Sequence, residues 1–313
     1  GLRLLYRYTQ PGAQRHNAVL WPFVRVTRDA AGRLSGCELR GATGPGILPL
    51  HAVARQVAAP AHLILTGPSV ADIDYGRCQL GPVMGVNGAI ALREKYPPLR
   101  FDYYVMLDAG FVRHHRALVA RVLAQDLLLF VTPEVYRWIG FLFDARQVRC
   151  TLTLFEEVHQ RAQQPRAEPR ALVRHLAGDP ELVLFDAYHP IHAHGFSLNP
   201  ARGLFGGGTV AYTALQLLVW LGARTVYLHG LDLTAAPRFY ETGDTALATA
   251  LERQYTDHIA PAFRRASALL ASRGIAVYNL SARSRLGAEV FEKRDWRGLC
   301  DPCATPAPMP IGE

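Results

Sequence analysis

Residues 205–234, FGGGTVAYTALQLLVWLGARTVYLHGLDLT, read as a glycine turn, an apolar helix, a break and a buried strand, and this unit narrows the folds open to the chain. Val210, Ala214, Leu217, Leu218 and Leu221 recur at helical spacing while Ala211, Leu215 and Val219 fill the flanks. Such a helix is apolar nearly all round and has to be buried. Gly222 stops it, residues 225–228 are rich in β-formers, and His229-Gly230-Leu231-Asp232 follows at the strand's carboxyl end. Gly206, Gly207 and Gly208 place side-chain-free backbone ahead of Thr209, where a helix would begin with unpaired N–H groups and its positive dipole end. That is a seat for an anion.

From residue 62 onward the chain supplies partners for this unit. Short apolar runs at 62–66, 83–86, 103–107, 127–131, 182–185, 225–228 and 275–280 alternate with helical segments at 88–96, 111–124, 134–143 and 246–272, the last kinked or split by Pro261. The alternation predicts an α/β fold with a mostly parallel, Rossmann-like sheet and helices on both faces. Residues 1–60 differ: the runs 23–27 and 34–39 flank a turn at 28–32 and predict a β-hairpin appendage. The expected division is therefore 1–60, a main domain at 61–299 and a Pro-rich tail at 300–313.

Lys and Arg exceed Asp and Glu by 34 − 26 = 8, which favours an acidic partner such as a sugar nucleotide or an anionic lipid surface. Nucleic acid is disfavoured because the arginines are not interleaved with aromatics on one predicted element. The five cysteines, Cys37, Cys78, Cys150, Cys300 and Cys303, are odd in number and scattered, so a reducing cytoplasm fits better than a disulfide framework. No apolar run approaches the ~20 residues that cross a bilayer. Cys300-Asp-Pro-Cys303 has no second pair to complete a metal site, and Asp72-Ile73-Asp74 is expected to open a helix rather than hold a metal. His189, His192 and His194 are irregularly spaced and read as a loop around an acceptor; residues 161–175, rich in arginine, read as a solvated face.

Three strands end in polar turns: Thr66-Gly67-Pro68-Ser69, Asn87-Gly88 and Asp108. Hydroxyls, an amide and a carboxylate gathered on one sheet edge, together with Gly207, Gly208, Thr209 and Asp232, predict a nucleotide site where strands finish. Arg238, Arg283 and Arg285 lie in loops after strands and offer cations to a phosphate or carboxylate.

The runs LILTGPSVADIDYGRC, VNGAIAL, VMLDAGF and GGGTVAYTALQLLVWLGARTVYLHGLDL, in that order, resemble the bacterial CMP-sialic-acid-dependent sialyltransferases of variant GT-A fold. GTVAYTALQ, HGLDLT, RFYE and IAVYNLSARSRL resemble still more closely the lipopolysaccharide-core transferases that add a third Kdo residue from CMP-Kdo. The resemblance runs in patches over roughly 62–286. It implies an inverting glycosyltransferase that moves Kdo, or a related acidic 2-keto sugar, from its CMP conjugate to the inner core of lipopolysaccharide. It further implies no cofactor, no metal, a cytoplasmic location and peripheral contact with an anionic membrane. On matching positions it implies nucleotide contacts at Gly67, Pro68, Ser69 and Asn87, a hydroxyl near the phosphate at Thr209, and a leaving-phosphate contact at Tyr240. Thr66 and Asp108 stand where the sialyltransferases have asparagines, and Thr234 where they have a second tyrosine. His258 lies close to their general-base histidine when counted back from the last strand, without local similarity. Histidine suits proton abstraction at neutral pH, and Asp108, Asp232 and His229 stay as alternatives. Two other functions stay open: transfer of a different CMP-sugar such as sialic acid, and a non-catalytic nucleotide-binding module.

Overall fold

The structure, a computed structural model, describes residues 1–188, 193–241 and 251–300. Helix α1 (Leu2–Thr9) precedes an antiparallel hairpin of β1 (Val24–Arg28) and β2 (Leu34–Leu39), formed where the sequence predicts it. The chain then lays down β3 (Ala61–Ile64), β4 (Val83–Val86), β5 (Tyr103–Met106), β6 (Leu128–Val131) and β7 (Thr151–Leu154) side by side, all parallel. The crossovers carry α2 (Leu92–Lys95), the pair α3 (Ala109–His114) and α4 (Arg116–Leu123), and α5 (Pro133–Leu142). After α6 (Pro169–Leu176), β8 (Leu182–Tyr188) and β9 (Ala193–Ser197), helix α7 (Val210–Leu221) returns the chain to the far side of β3. There β10 (Thr225–His229) pairs with β3, and α8 (Leu251–Gln254), α9 (Ala260–Ser272), β11 (Ala276–Asn279) and β12 (Glu292–Lys293) complete the fold. The sheet order is β12-β11-β10-β3-β4-β5-β6-β7, so the direction of growth reverses between β3 and β10. Open α/β sheets bind ligands at such a reversal.

The inner strands are continuous apolar runs because both faces are covered, as a parallel sheet requires. Successive residues feed two cores: Val105 and Phe130 meet Leu215, Leu218 and Phe263, while Tyr104, Met106, Leu129 and Val131 meet Val112, Val122 and Ile139. Helix α7 is buried at all but Val210 and Val219, as its sequence demands. Thr209 caps it through Oγ1, which accepts from the Tyr212 amide at 3.2 Å, and Gly222 ends it with φ of 112°.

Several local expectations are corrected. Residues 182–185 do not join the main sheet; they belong to β8, which pairs antiparallel with β9, and their half-buried pattern does not suit a strand covered on both faces. Two strands of the main sheet, β7 and β12, fall outside the predicted runs. The helix expected at 111–124 breaks at His115, whose ring stacks on Phe111 at 5.0 Å. Residues 88–96 start as a 3₁₀ turn before α2. Asp72 closes a 3₁₀ turn that begins at Pro68 and opens no helix. The C-terminal helical run is interrupted by a π-helical turn at Tyr255–Ile259 that passes directly into α9, whose second residue is Pro261; a proline there has no N–H for the preceding turn, so the irregularity falls where the sequence expects one.

Beneath the switch point runs a buried polar chain. His62 Nδ1 lies 3.0 Å from His229 Nε2, and Tyr75 Oη lies 3.1 Å from His229 Nδ1. His62 also stacks on Tyr227. Burial drives the His62 pKa down to about 4 and that of His229 well below its ordinary value, so both rings are neutral.

Candidate active site

At the carboxyl ends of β3, β4, β5 and β10 lies a cavity of about 550 Å³. Its walls include Thr66, Gly67, Pro68, Asn87, Asp108, Gly208, Thr209, Asp232 and Arg238, so residues from five separate strand or helix ends converge. Four of the turns are tightly packed or strained. A Cβ on Gly67 would meet Asp232 Oδ2 and the Gly230 carbonyl, both at 2.4 Å, so only glycine lets the two turns at the switch point touch. Asn87 and Leu233 hold positive φ values of 44° and 56°, a conformation that surrounding structure has to enforce. Gly208, with φ of 76°, brings backbone against Ile259 and His258 just before the α7 cap.

Asp232 is the pivot of this site. Its Oδ2 accepts from the Ser69 amide at 2.8 Å, so it ties the β10 turn to the β3 turn rather than to its own. Ser69 Oγ in turn meets Ser281 Oγ at 2.6 Å, and Lys293 Nζ donates to the Ser281 carbonyl at 3.1 Å. Ser69 therefore supports the wall from behind and does not line the cavity. Asp232 is only 2 % exposed, yet its Oδ1 has no partner among the described residues, and neither has the buried Oδ1 of Asn87. Two orphaned acceptors in one crevice call for ligand donors, such as hydroxyl or amino groups.

The cations are distributed unevenly. Arg238 lines the cavity and pairs with Glu241 at 2.6 Å. Although burial works against its charge, the neighbouring Tyr240, Glu241 and Asp108 raise its pKa further. Arg283 lies instead on the exposed surface, paired with Asp72, and Arg285 is held over the Tyr255 ring at 3.8 Å. Neither lines the crevice. The Tyr240 ring covers Gly88 and neither residue lines the crevice; burial pushes the phenol up to about 12, so it stays protonated and offers a hydrogen-bond donor at neutral pH.

Of the four candidate catalytic groups, His229 is fully buried between His62 and Tyr75 and does not line the cavity, and Asp108 is exposed at the rim and caps α3 by accepting from the Gly110 amide at 2.6 Å. His258 opens onto an adjoining cavity of about 290 Å³, which Gly206 and Gly207 also line and which shares Leu107, Gly208, Thr209, Val210 and Gln254 with the first. Its Nδ1 lies 2.6 Å from His194 Nε2, both rings being buried. His189 and His192 lie outside the described residues, as does Cys303. Sequence reasoning missed Glu157, His159 and Gln160 on the far wall of this second cavity, because the strand that carries them there, β7, was not foreseen. No group of His, Cys, Asp and Glu among the described residues is arranged to hold a metal, and no described helix is long and apolar enough to cross a membrane.

No family profile matches the chain, and no curated protein matches it. Among solved structures it is similar to the monofunctional alpha-2,3-sialyltransferase Cst-I of Campylobacter jejuni, at 14% identity over 76% of this chain and 82% of that one, with a TM-score of 0.41. A likeness this low carries no weight for function, which has to rest on the site itself.

Proposed function

We propose that the chain is an inverting glycosyltransferase that takes Kdo, or a related acidic 2-keto sugar, from its CMP conjugate and places it on the inner core of lipopolysaccharide. The observation that carries the proposal is the crevice at the β3/β10 switch point, lined by Asp232 and Asn87, each with a buried acceptor that has no partner among the described residues, and by the capped start of α7. Acceptors suit the hydroxyl and amino groups of cytidine, and the helix start suits its phosphate. The sequence patches that resemble CMP-Kdo transferases supply the choice of base and sugar.

In this mechanism the bond from the anomeric carbon to phosphate oxygen breaks with its electron pair going to CMP, while an acceptor hydroxyl attacks from the opposite face. The α7 amides, Arg238 and the Tyr240 hydroxyl stabilise the departing phosphate. No cofactor or metal takes part. Contact with an anionic membrane belongs to the same proposal, and Leu2, Leu4, Leu5 and Tyr8 stand exposed on α1 beside Arg3 and Arg7 to make it.

Thermal melting with CMP, CMP-Kdo and CMP-sialic acid tests the donor. A ligand held at about a hundred times its Kd adds about 2.7 kcal/mol to stability, a readable rise in Tm. Asp232→Asn, which keeps the bulk but turns one acceptor into a donor, is expected to abolish most of that rise. A protein whose melting ignores all three compounds refutes the proposal, and a larger shift with CMP-sialic acid than with CMP-Kdo reassigns the sugar.

A further inference from the structure

The second cavity holds a carboxylate that no role above uses. Glu157 follows β7 and is fixed by backbone pairing to the stem of the glycine turn: the Val158 amide donates to the Leu204 carbonyl at 3.0 Å, and the Leu204 amide to the Glu156 carbonyl at 2.8 Å. The Glu157 carboxylate lies against Gly206, where an added Cβ would stand 2.7 Å from Oε1. It makes no hydrogen bond to any described residue, and His159 Nε2 lies 3.7 Å from its Oε2.

Its chain neighbour has the opposite fate. Glu156 is gripped by Arg28 through two bonds of 2.7 and 2.8 Å and also accepts from the Ala162 amide at 2.7 Å. Two adjacent carboxylates with such different surroundings are divided between structure and chemistry. Glu156 anchors the hairpin to the sheet, and Glu157 faces open space beside the anion seat.

The geometry points to Glu157 as the catalytic residue that takes the proton from the acceptor hydroxyl, with the cavity between Gly206, His159 and His258 as the acceptor's site. This rests on the donor reading given above, which places the sugar's leaving phosphate at Thr209. The two cavities share Leu107, Gly208, Thr209, Val210 and Gln254, so an acceptor in the second lies next to a donor in the first. As its oxygen bonds to the anomeric carbon and CMP departs, the O–H proton passes to Glu157 and then to solvent. Burial raises the Glu157 pKa, which brings its titration nearer to neutral pH and strengthens it as a base; the charge of Arg166 opposes that rise. In this cavity the other titratable groups are His159 on its own turn and His258 across from it; Glu157 also lines a smaller cavity of about 190 Å³, where His16, Glu134 and Glu156 are the titratable neighbours.

The test uses the full chain, CMP for binding, and CMP-Kdo and CMP-sialic acid for turnover with water or a sugar hydroxyl as acceptor. Glu157→Gln is expected to bind CMP as the wild type does while the rate of CMP release from the preferred donor falls by about a hundredfold or more. The wild-type rate is expected to rise with pH through an ionisation above the ordinary carboxylate range, and that limb is expected to disappear in Glu157→Gln. Glu157→Asp, with the carboxylate drawn back by one methylene, is expected to keep part of the rate, and carries the test should the glutamine variant fail to fold. A Glu157→Gln protein that binds CMP and keeps turnover within about threefold of wild type overturns the assignment and leaves the donor reading standing. A wild type that binds CMP but releases none from either donor overturns it too. A wild type that binds no CMP removes the donor reading and this assignment together.

Discussion

The neutral, buried pair His62 and His229 predicts a specific acid sensitivity. An unfolded His62 would take up a proton near its ordinary pKa of 6.5, whereas in the folded chain it resists protonation until about 4. Between those values the unfolded state binds more protons, so this contribution is fully present above about pH 6.5 and is lost as pH falls through 4. The gap of about 2.5 units sets a ceiling of about 3.4 kcal/mol, with about 2 kcal/mol gone by pH 5 and about 3 by pH 4. His62 is only 2 % exposed, so solvent screening does not erode the figure. Urea unfolding at pH 7, 5 and 4 measures it, comparing wild type with His62→Gln. The variant is expected to be the less stable at pH 7, having lost the stack on Tyr227, yet to lose about 2 kcal/mol less than wild type between pH 7 and 5. If the two proteins lose stability in parallel over that range, His62 is not the group that resists protonation and the reasoning fails.

Two further perturbations bear on the frame of the site. Gly208→Ala forces a side chain onto a residue with φ of 76° and sets its Cβ 2.7 Å from Ile259 Cγ1, so CMP affinity is expected to fall more than tenfold with a lowered Tm; unchanged calorimetric affinity would contradict the glycine requirement. Arg28→Ala leaves Glu156, 7 % exposed, without its counterion and is expected to cost about 3–5 kcal/mol in chemical unfolding, an outcome that a loss under about 1 kcal/mol would contradict.

What could be read from the sequence was whatever local chemistry decides. Thr209 and Gly222 bracket α7 because a hydroxyl caps a helix start and glycine accepts a left-handed turn at its end. The apolar runs of β3 to β6 announced a sheet covered on both faces. Contacts distant in sequence set the rest. β7 alternates threonine and leucine, with Thr153 fully buried, and nothing local marks Thr151–Leu154 as the edge of the same sheet. With β7 unseen, Glu157 had no place, since pairing with Leu204 positions it. Ser69 was expected to face the nucleotide, but in a 3₁₀ turn each residue rotates by about a third of a circle, and this one points inward to Ser281. The run at 182–185 had strand composition without the two-sided burial that membership of the main sheet requires. No spacing rule places His194 against His258, which are brought together where β9 packs against α9 and the π turn that precedes it carries His258.

The reversal of strand order at β3 and β10 separates two jobs. Asn87, Asp232 and Gly67 stand on segments that end in core strands, and altering them disturbs the middle of the molecule. The opposite wall, from Glu157 to Gly206, is furnished by a stretch running from the outermost strand β7 to α7, whose described residues add no strand to the central ladder on the way. On the proposed reading, the residues of that stretch that face the second cavity can change, and with them the acceptor, with the donor contacts at the core-strand ends left as they are; its own core residues, such as Phe196 and Phe205, are not free in the same way.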